Sequence, residues 1–279
     1  MPNVEQAEYW DGVGGEHWVA EQARYDRMSG GFGDRVVEML SPRPGERVLD
    51  VGCGNGALSL AIGPLVAPEG TVVGLDISGP MLAEATRRAR AAGLENVRFE
   101  RGDAQVHGLP EAGFDAFVSR FGVMFFDDPQ AAFANLARSL RSGGRVVFAC
   151  WRELTANEWL MVPVAAALTH MPMPDLGKLG GPGPFSLAEP DHVRSILDGA
   201  GLAGVGVEDF RCPMWLGATV DDTVAFMQGT DMAATLLADV DDDVAAAAWE
   251  AVRSALAPHA GRDGVVLGGA AWLVTATKP

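Results

Sequence analysis

The sequence predicts an α/β fold built on a doubly wound, mostly parallel sheet of seven strands. Three observations lead to this prediction. Strand-like apolar runs alternate with helix-like segments from Arg47 onward, a glycine-rich turn (Gly52–Gly56) follows the first run, and an acid, Asp76, ends the second. Such alternation is typical of parallel sheets with helices on both faces. With 279 residues, 48% of them hydrophobic, the chain is long enough for one large domain.

The predicted elements follow one another in a regular order. Strands are expected at 47–51, 71–77, 96–103, 114–121, 145–151, 205–212 and 265–279. Helices are expected at 56–66, 80–92, 129–141 and 188–201, and within the Ala-rich segment 220–259. The helix at 129–141 is expected to stop at Ser142-Gly143-Gly144. We interpret residues 152–188 and 220–259 as a helical cap inserted over the carboxyl edge of the sheet.

Residues 1–45 are predicted to form amphipathic helices ahead of the first strand. Tyr9, Trp10, Trp18 and Tyr25 recur there at helical spacing. Aromatic residues at this spacing usually face a core, but they also suit a lid with an aromatic lining over a ligand pocket. We therefore divide the chain into an N-terminal helical leader or lid (1–45), a ligand-binding α/β core (46–151) and the remainder of the same domain (152–279).

Composition and charge exclude several classes of function. The formal net charge of −16 argues against nucleic acid as a partner, because phosphate binding needs a basic patch. No apolar run reaches the roughly 18 residues expected of a membrane span, and the polar, acidic N-terminus does not resemble a signal segment. The odd, widely spaced cysteines predict neither disulfides nor a zinc site: Cys53, Cys150 and Cys212. We expect a cytoplasmic protein, a monomer or a homodimer, without a membrane partner.

One acidic cluster deserves comparison with a metal site. It comprises Asp239, Asp241, Asp242 and Asp243. Acids at the start of a helix are stabilised by the helix dipole, so we interpret the cluster as a solvated loop and a helix N-terminus. We predict no bound metal.

Ligands of open α/β sheets bind beyond the carboxyl ends of the strands, so the residues after each strand are the candidate site. Gly52, Gly54 and Gly56 follow the first strand, and Asp50 precedes them by two positions. Asp76 ends the second strand, at the spacing of an acid that accepts hydrogen bonds from ribose hydroxyls. The third and fourth strands are followed by two further groups, namely Asp103, Ala104 and Gln105, and Ser119, Arg120 and Phe121.

These motifs resemble those of class I S-adenosylmethionine-dependent methyltransferases, of the kind related to ubiquinone/menaquinone-biosynthesis C-methyltransferases. The segment from Asp50 to Gly56 matches the family's acid-x-Gly-x-Gly-x-Gly signature. The resemblance implies a Rossmann-like fold, with Asp76 on the ribose, Met81 over the adenine and Gly102-Asp103-Ala104 at the adenine amino group. The other residues that we assign to the cofactor are Asp50, Gly52, Gly54, Asn55, Gly56, Ile77, Gln105, Ser119 and Phe121.

A nicotinamide dinucleotide is the rival cofactor, because Gly52, Gly54 and Ala57 also fit the G-x-G-x-x-G/A fingerprint. The acid two positions before the first glycine, the third glycine and the Gly-Asp-Ala segment favour S-adenosylmethionine, with S-adenosylhomocysteine as its product. An NAD(P)-dependent oxidoreductase and a protein that binds S-adenosylmethionine without methylating remain alternatives.

The acceptor is expected to be a small, fairly apolar molecule methylated on oxygen, nitrogen or carbon, and a peptide natural product is also compatible. A Met- and Pro-rich run at 171–174, with Trp151, Trp159 and Phe185, indicates an apolar acceptor site or a loop packed on the cap.

In-line methyl transfer mainly requires alignment of the two reactants, although a proton must leave many acceptors. His17 and His107 are candidates to accept it, and His170 could line the acceptor pocket, but each also suits a structural histidine. Arg120 either clamps an anionic acceptor or pairs with Asp127 or Asp128.

Overall fold

The computed structural model describes residues 3–171, 181–238 and 240–279. One mixed sheet forms its centre. The strands are β1 (Arg47–Val51), β2 (Thr71–Asp76), β3 (Val97–Arg101), β4 (Phe114–Arg120), β5 (Leu140–Trp151), β6 (Ala203–Gly217), β7 (Ala260–Gly261) and β8 (Gly264–Thr277). The helices are α1 (Val4–Asp11), α2 (Val13–Ala20), α3 (Gln22–Leu40), α4 (Ala57–Val66), α5 (Gly79–Ala91), α6 (Pro129–Ser139), α7 (Glu158–Ala167), α8 (Pro190–Gly199), α9 (Val220–Gln228), α10 (Asp231–Leu237) and α11 (Asp242–Leu256).

The strand order is β3-β2-β1-β4-β5-β8-β6, and β7 pairs with β8 off this path. Strands β1 to β5 pair in parallel, whereas β8 runs antiparallel to both β5 and β6. The predicted doubly wound, mostly parallel sheet is therefore confirmed, with the two-residue β7 as an additional strand. The strand order reverses between β1 and β4, which places the expected ligand crevice at the carboxyl ends of these two strands.

The junction between α6 and β5 differs from the prediction. Helix α6 ends at Ser139, and the predicted helix stop at Ser142-Gly143-Gly144 lies inside β5. The reason is that Leu140 already pairs with Phe114, and the register of β4 with β5 then shifts over the next residues. Gly143 has φ +73°, a conformation that suits the irregularity where the register shifts. This glycine therefore shapes β5 and does not end α6.

Strand β6 is longer than predicted. It runs from Ala203 to Gly217, because β8 provides a pairing partner along almost its whole length. Its far end carries Met214 and Leu216, both buried, away from the sheet centre and toward the cap. The β6–β8 pair thereby contacts α7 and α9, and α11 packs in turn on these two helices.

The leader helix α3 packs directly on the sheet. Met28, Phe32, Val36 and Leu40 recur every four residues and are all buried, which gives α3 one continuous apolar face. Phe32 is fully buried and packs edge-to-face against Phe121 and other aromatic rings. Burial of such a side chain contributes about 1.5–3 kcal/mol. Helix α3 therefore faces the core, and the action of the leader as a lid stays a prediction.

The predicted helical cap corresponds to α7 and α9–α11, with α7 packed against α11. Asp241 lies at the N-terminus of α11, with Asp242 and Asp243 in its first turn, as the dipole argument expects, while Asp239 lies outside the described residues. None of the helices in the described part of the chain has the length and apolar character needed to cross a membrane.

Candidate functional site

The turn between β1 and α4 depends on its glycines. Gly52, Gly54 and Gly56 all have positive φ, at +64°, +51° and +80°. A Cβ atom on Gly52 would lie 2.6 Å from the Cα atom of Gly122, the segment that follows β4. Side chains other than hydrogen are therefore excluded at Gly52 by both the dihedral angle and the packing against Gly122.

Asp76 is buried at the end of β2, and its carboxylate organises this turn. Its Oδ2 atom accepts a hydrogen bond from the backbone N–H of Gly54 at 2.7 Å, and its Oδ1 atom accepts one from Ser78 at 2.9 Å. Burial raises the pKa of Asp76, and these hydrogen bonds act in the opposite direction. The carboxylate is thus fixed in place at the cavity wall with lone pairs still available to ribose hydroxyls.

Asp50 is the second buried acid. The hydroxyl of Ser59 donates to its Oδ2 atom at 2.6 Å, and its burial raises the pKa to about 6. A positive ligand at this site would favour the ionised form of Asp50.

Asp103 is held by Gln105 after β3. The backbone and side-chain N–H groups of Gln105 donate to the two carboxylate oxygens at 3.0 and 3.1 Å, and its Oε1 atom accepts from the backbone of Asp128. Gln105 is buried and its amide is fully engaged by protein groups. It therefore positions Asp103.

These groups border one cavity of about 640 Å³, within the usual size range of small-molecule sites. Most predicted cofactor residues line its polar end: Asp50, Gly52, Gly54, Asn55, Asp76, Ile77, Met81, Gly102, Asp103, Ala104 and Phe121. Three others do not line it, namely Gly56, Gln105 and Ser119. Gly56 shapes the turn, Gln105 orients Asp103, and the hydroxyl of Ser119 accepts a hydrogen bond from the backbone of Gly122.

The other end of the cavity is apolar and is formed by the cap. Its lining includes Trp159, Leu160, Met214, Phe226, Met227 and Trp249. Trp151 lines the cavity as predicted, whereas Phe185 does not. Of the Met- and Pro-rich run at 171–174, Met171 lines the cavity and residues 172–174 lie outside the described residues.

The leader closes the cavity over the glycine turn. The side-chain amide of Asn55 donates to the backbone oxygen of Trp18 at 2.9 Å, and the rings of Trp18 and Tyr25 stack with centroids 3.9 Å apart. Tyr9 and Trp10 line the same cavity. These aromatic residues thus form part of the cavity wall.

Arg120 lines the cavity beside the leader, and its expected ion pair with Asp127 or Asp128 is not formed. The side chain of Asp128 instead accepts the backbone N–H of Ala131 at the start of α6. The nearest carboxylate to Arg120 is Asp26 on α3, at 3.9 Å from Nη2 to Oδ1. Sequence reasoning missed Asp26, because its proximity depends on how α3 docks on the sheet.

Phe121 has an unusual backbone conformation, with φ +66°. Its ring stacks on Trp151 with centroids 3.8 Å apart and planes 12° apart. A bulky residue in the left-handed region costs of order 1–3 kcal/mol and is typical of functional sites. The stack offsets part of this cost and fixes one wall between the two ends of the cavity.

The three candidate histidines occupy different environments. His17 lines the cavity, stacks on Phe226, and its buried Nε2 atom has no hydrogen-bond partner in the described part of the chain. His107 does not line the cavity, and its Nε2 atom lies 3.4 Å from Glu100. His170 is exposed and also lies outside the cavity lining. Only His17 is brought to the site.

Comparisons with known proteins agree with this geometry. A family model described as a methyltransferase domain matches residues 48–144. The 27-O-demethylrifamycin SV methyltransferase of Amycolatopsis mediterranei is 31% identical over 208 residues, covering 72% of this chain and 71% of that protein. The chain belongs to the S-adenosylmethionine-dependent methyltransferases.

Two further methyltransferases match over shorter segments. The aklanonic acid methyltransferase of a Streptomyces species is 38% identical over 44% of this chain, and the demethylmenaquinone methyltransferase of Thermus thermophilus is 42% identical over 40% of it. The chain spans 58% and 50% of the lengths of these two relatives. The resemblance to the menaquinone-biosynthesis type is thereby confirmed.

Two solved structures share the fold over most of the chain. The YcgJ protein of Bacillus subtilis is 20% identical with a TM-score of 0.57, covering 88% of this chain and 97% of that one. A geranyl diphosphate methyltransferase is 19% identical with a TM-score of 0.51, covering 90% and 78%. At these identities the similarity concerns the fold, and it confirms the Rossmann-like class I methyltransferase architecture.

The residues of the polar end fit S-adenosylmethionine. The backbone of the glycine turn lines the cavity at Gly52 and Gly54, and Asp76 presents a fixed carboxylate. Asp50 and Asp103 add negative charge where a cationic nucleoside would lie. Family membership and this fit favour S-adenosylmethionine over the nicotinamide alternative.

Proposed function

We propose that the protein transfers a methyl group from S-adenosylmethionine to a hydroxyl of a small, predominantly apolar molecule. One observation carries the proposal: a single cavity joins the acidic glycine-turn end to the apolar cap end. Both reactants therefore have adjoining places, and alignment is the main catalytic requirement for methyl transfer. Bound S-adenosylmethionine supplies an electrophilic methyl group on sulfur.

The choice of acceptor is supported by the cap and by the relatives. Aromatic and aliphatic side chains such as Trp159, Phe226 and Trp249 surround the acceptor end. Two relatives are named for aklanonic acid and for the 27-O-demethyl form of rifamycin SV. The second name specifies a methyl group on oxygen, which favours O-methylation over the N- and C-methylation alternatives.

The chain's own residues have distinct roles in this proposal. Asp76 binds the ribose, Met81 covers the adenine, and Asp103 receives the adenine amino group. His17 is the histidine positioned to accept the hydroxyl proton, because it alone of the candidates lines the cavity. The leader aromatics exclude water from the reacting groups.

Replacement of Asp76 tests the cofactor assignment. We expect Asp76→Ala to weaken S-adenosylhomocysteine binding about 100-fold or more, since hydrogen bonds to a charged group are worth about 1.5–3 kcal/mol each. Isothermal calorimetry measures the loss. Glu95→Ala, which removes an exposed acid before β3, is the matched control and should bind like the wild type. Wild-type protein that binds NADH and ignores S-adenosylhomocysteine would contradict the assignment.

An acceptor screen tests the reaction itself. The protein is incubated with S-adenosylmethionine and a panel of hydroxylated, predominantly apolar aromatic molecules, and mass spectrometry detects products heavier by one methyl group. Matched release of S-adenosylhomocysteine is the expected result. Products carrying the methyl group on carbon or nitrogen would contradict the hydroxyl assignment and leave the cofactor assignment intact.

A further inference from the structure

Arg120 is a largely but not fully buried cation whose hydrogen-bonding capacity is mostly unused. Its side chain is 15% exposed and lines the cavity, and burial lowers its pKa. Among the described residues no protein oxygen accepts a hydrogen bond from its guanidinium. The nearest carboxylate oxygen, Oδ1 of Asp26, lies 3.9 Å away, beyond hydrogen-bond distance. A buried guanidinium in this state is an incomplete binding site for an anion.

The two neighbouring acids already have other partners. Asp26 accepts hydrogen bonds at Oδ2 from Arg88 at 2.6 Å and from Gln22 at 2.5 Å. Asp50 accepts from Ser59. The Oδ1 atom of Asp26 faces Arg120, so this wall of the cavity presents one cationic fork and one carboxylate oxygen side by side.

The sheet register fixes where this wall lies. Asp50 on β1 pairs with Val118 on β4, so Arg120 comes level with Gly52 in the glycine turn. The strand order β3-β2-β1-β4 then places Asp103, Asp76, the turn and Arg120 in one row along the carboxyl edge. With neighbouring strands about 4.8 Å apart, the β4 end of this row lies about 10 Å from the strand of Asp76.

S-adenosylmethionine is a linear molecule with the order adenine, ribose, sulfur and α-amino acid. With the ribose at Asp76 and the adenine toward Asp103, its amino-acid end extends past the turn toward β4. We propose that Arg120 and Asp26 form the subsite for this zwitterion, Arg120 binding the carboxylate and Asp26 binding the α-ammonium. The proposal deepens the proposed function and depends on it.

The chemistry of the pair matches the ligand. A planar guanidinium binds a carboxylate through two parallel N–H···O bonds, and such charge-assisted pairs are roughly twice as strong as neutral hydrogen bonds. Arg88 joins the subsite to the turn, since it donates both to Asp26 and to the backbone oxygen of Asn55. Since Asp26 lies on α3, the leader contributes directly to cofactor recognition.

Paired ligands and variants test each half of the subsite. Calorimetry compares S-adenosylhomocysteine with its decarboxylated analogue and with its analogue lacking the amino group. Wild-type protein should prefer S-adenosylhomocysteine by about tenfold or more over each analogue. Arg120→Leu should abolish the preference over the decarboxylated analogue, and Asp26→Asn the preference over the deaminated one, while each variant binds its matched analogue within about twofold of wild type.

Controls separate binding from folding. Thermal unfolding without ligand checks each variant, and Arg120→Lys, which retains the charge but loses the fork, should keep part of the carboxylate preference. Arg87→Leu removes an exposed arginine of α5 paired with Glu84 and should retain the full preference.

Each of the following outcomes would overturn the inference. Wild-type protein binds all three nucleosides equally well, or Arg120→Leu weakens both carboxylated and decarboxylated ligands equally, as a purely structural ion pair predicts. Alternatively, Arg120→Leu leaves the preference intact and lowers only turnover, which assigns the guanidinium to the acceptor. Wild-type protein that binds none of the nucleosides refutes the proposed function as well.

Discussion

Asp50 is a carboxylic acid inside a parallel sheet, with a pKa raised to about 6 by its burial. A cationic ligand favours its ionised form, so the affinity for S-adenosylmethionine should fall as the pH decreases through about 6. S-adenosylhomocysteine, which lacks the sulfonium charge, should show a weaker dependence. Calorimetry between about pH 5 and pH 8 measures both.

Asp50→Asn is the control for this prediction. It should flatten the pH dependence, with a remainder due to Asp76, whose pKa is raised by burial in the same direction. Equal pH profiles for the two nucleosides would contradict the electrostatic explanation. The free energy of unfolding of the ligand-free protein depends on pH in the opposite direction. The folded state holds the proton of Asp50 more tightly than the unfolded state does, so the contribution of Asp50 to stability is present below about pH 4 and is lost as the pH rises through about 6.

The sequence predicted single residues well where their role is local. The glycine turn and Asp76 could be predicted because the residues next to one another in the sequence largely determine turn dihedrals and strand ends. For Arg120 the sequence left two alternatives, and the ion pair with Asp127 or Asp128 is not formed, since the side chain of Asp128 caps α6. Asp26 carried no sequence signal, because only the docking of α3 on the sheet brings it to the cavity.

At the scale of elements, the leader and the cap meet across the cavity. The hydroxyl of Tyr9 on α1 donates to the Oδ2 atom of Asp231 on α10 at 2.5 Å. Burial, together with the carboxylate of Asp231 beside it, raises the pKa of Tyr9, so the phenol keeps its proton and remains the donor. This bond joins two elements that are 222 residues apart in the sequence.

Tyr9→Phe should loosen this connection without changing the cofactor site. A net hydrogen-bond contribution of about 1 kcal/mol predicts roughly fivefold faster amide exchange in α1 and α10. Hydrogen-exchange mass spectrometry measures this, and S-adenosylhomocysteine affinity should stay within about twofold. Asp231→Asn combined with Tyr9→Phe should add little further effect. Unchanged exchange in α1 would show that the bond does not restrain the leader.

Element boundaries were predictable where pattern and pairing agree. The strands β1, β2 and β4 follow apolar runs, and their bounds differ from expectation by no more than a residue or so. The start of β5 was not predictable, because Gly143 and Gly144 signal a helix stop locally whereas pairing with β4 decides their conformation. The extension of β6 likewise depends on β8, a strand far along the chain.

At the scale of the whole molecule, the net charge of −16 opposes the compact state through self-repulsion. Raising the ionic strength from about 10 mM to about 200 mM shortens the Debye length from about 30 Å to about 7 Å. We expect Tm to rise by a few degrees, because screening weakens the repulsion among the excess negative charges. Exposed ion pairs contribute little stability, so their screening costs little. Calorimetric scans in NaCl and KCl of equal ionic strength check this, and a fall in Tm would contradict it.

The overall architecture could be predicted from the alternation of strands and helices in the sequence, together with the switch point that such an order implies. The enclosure of the cavity could not be predicted in this way. It depends on α3 lying against β5 and β6 and on α7 packing against α11, contacts that link distant parts of the chain. Local periodicity indicates that such helices are amphipathic but not which neighbour receives their apolar faces.

The placement of α3 has a kinetic consequence. One face of this helix contributes Asp26 to the cofactor end, and the adjoining turns contribute Tyr25 and Met28 to the wall of the same cavity. Because α3 borders both the cofactor end and the acceptor end of this cavity, a displacement of α3 would open both ends together. We expect spent nucleoside and methylated product to depart in a single opening event, so that a trapped product delays nucleoside exchange.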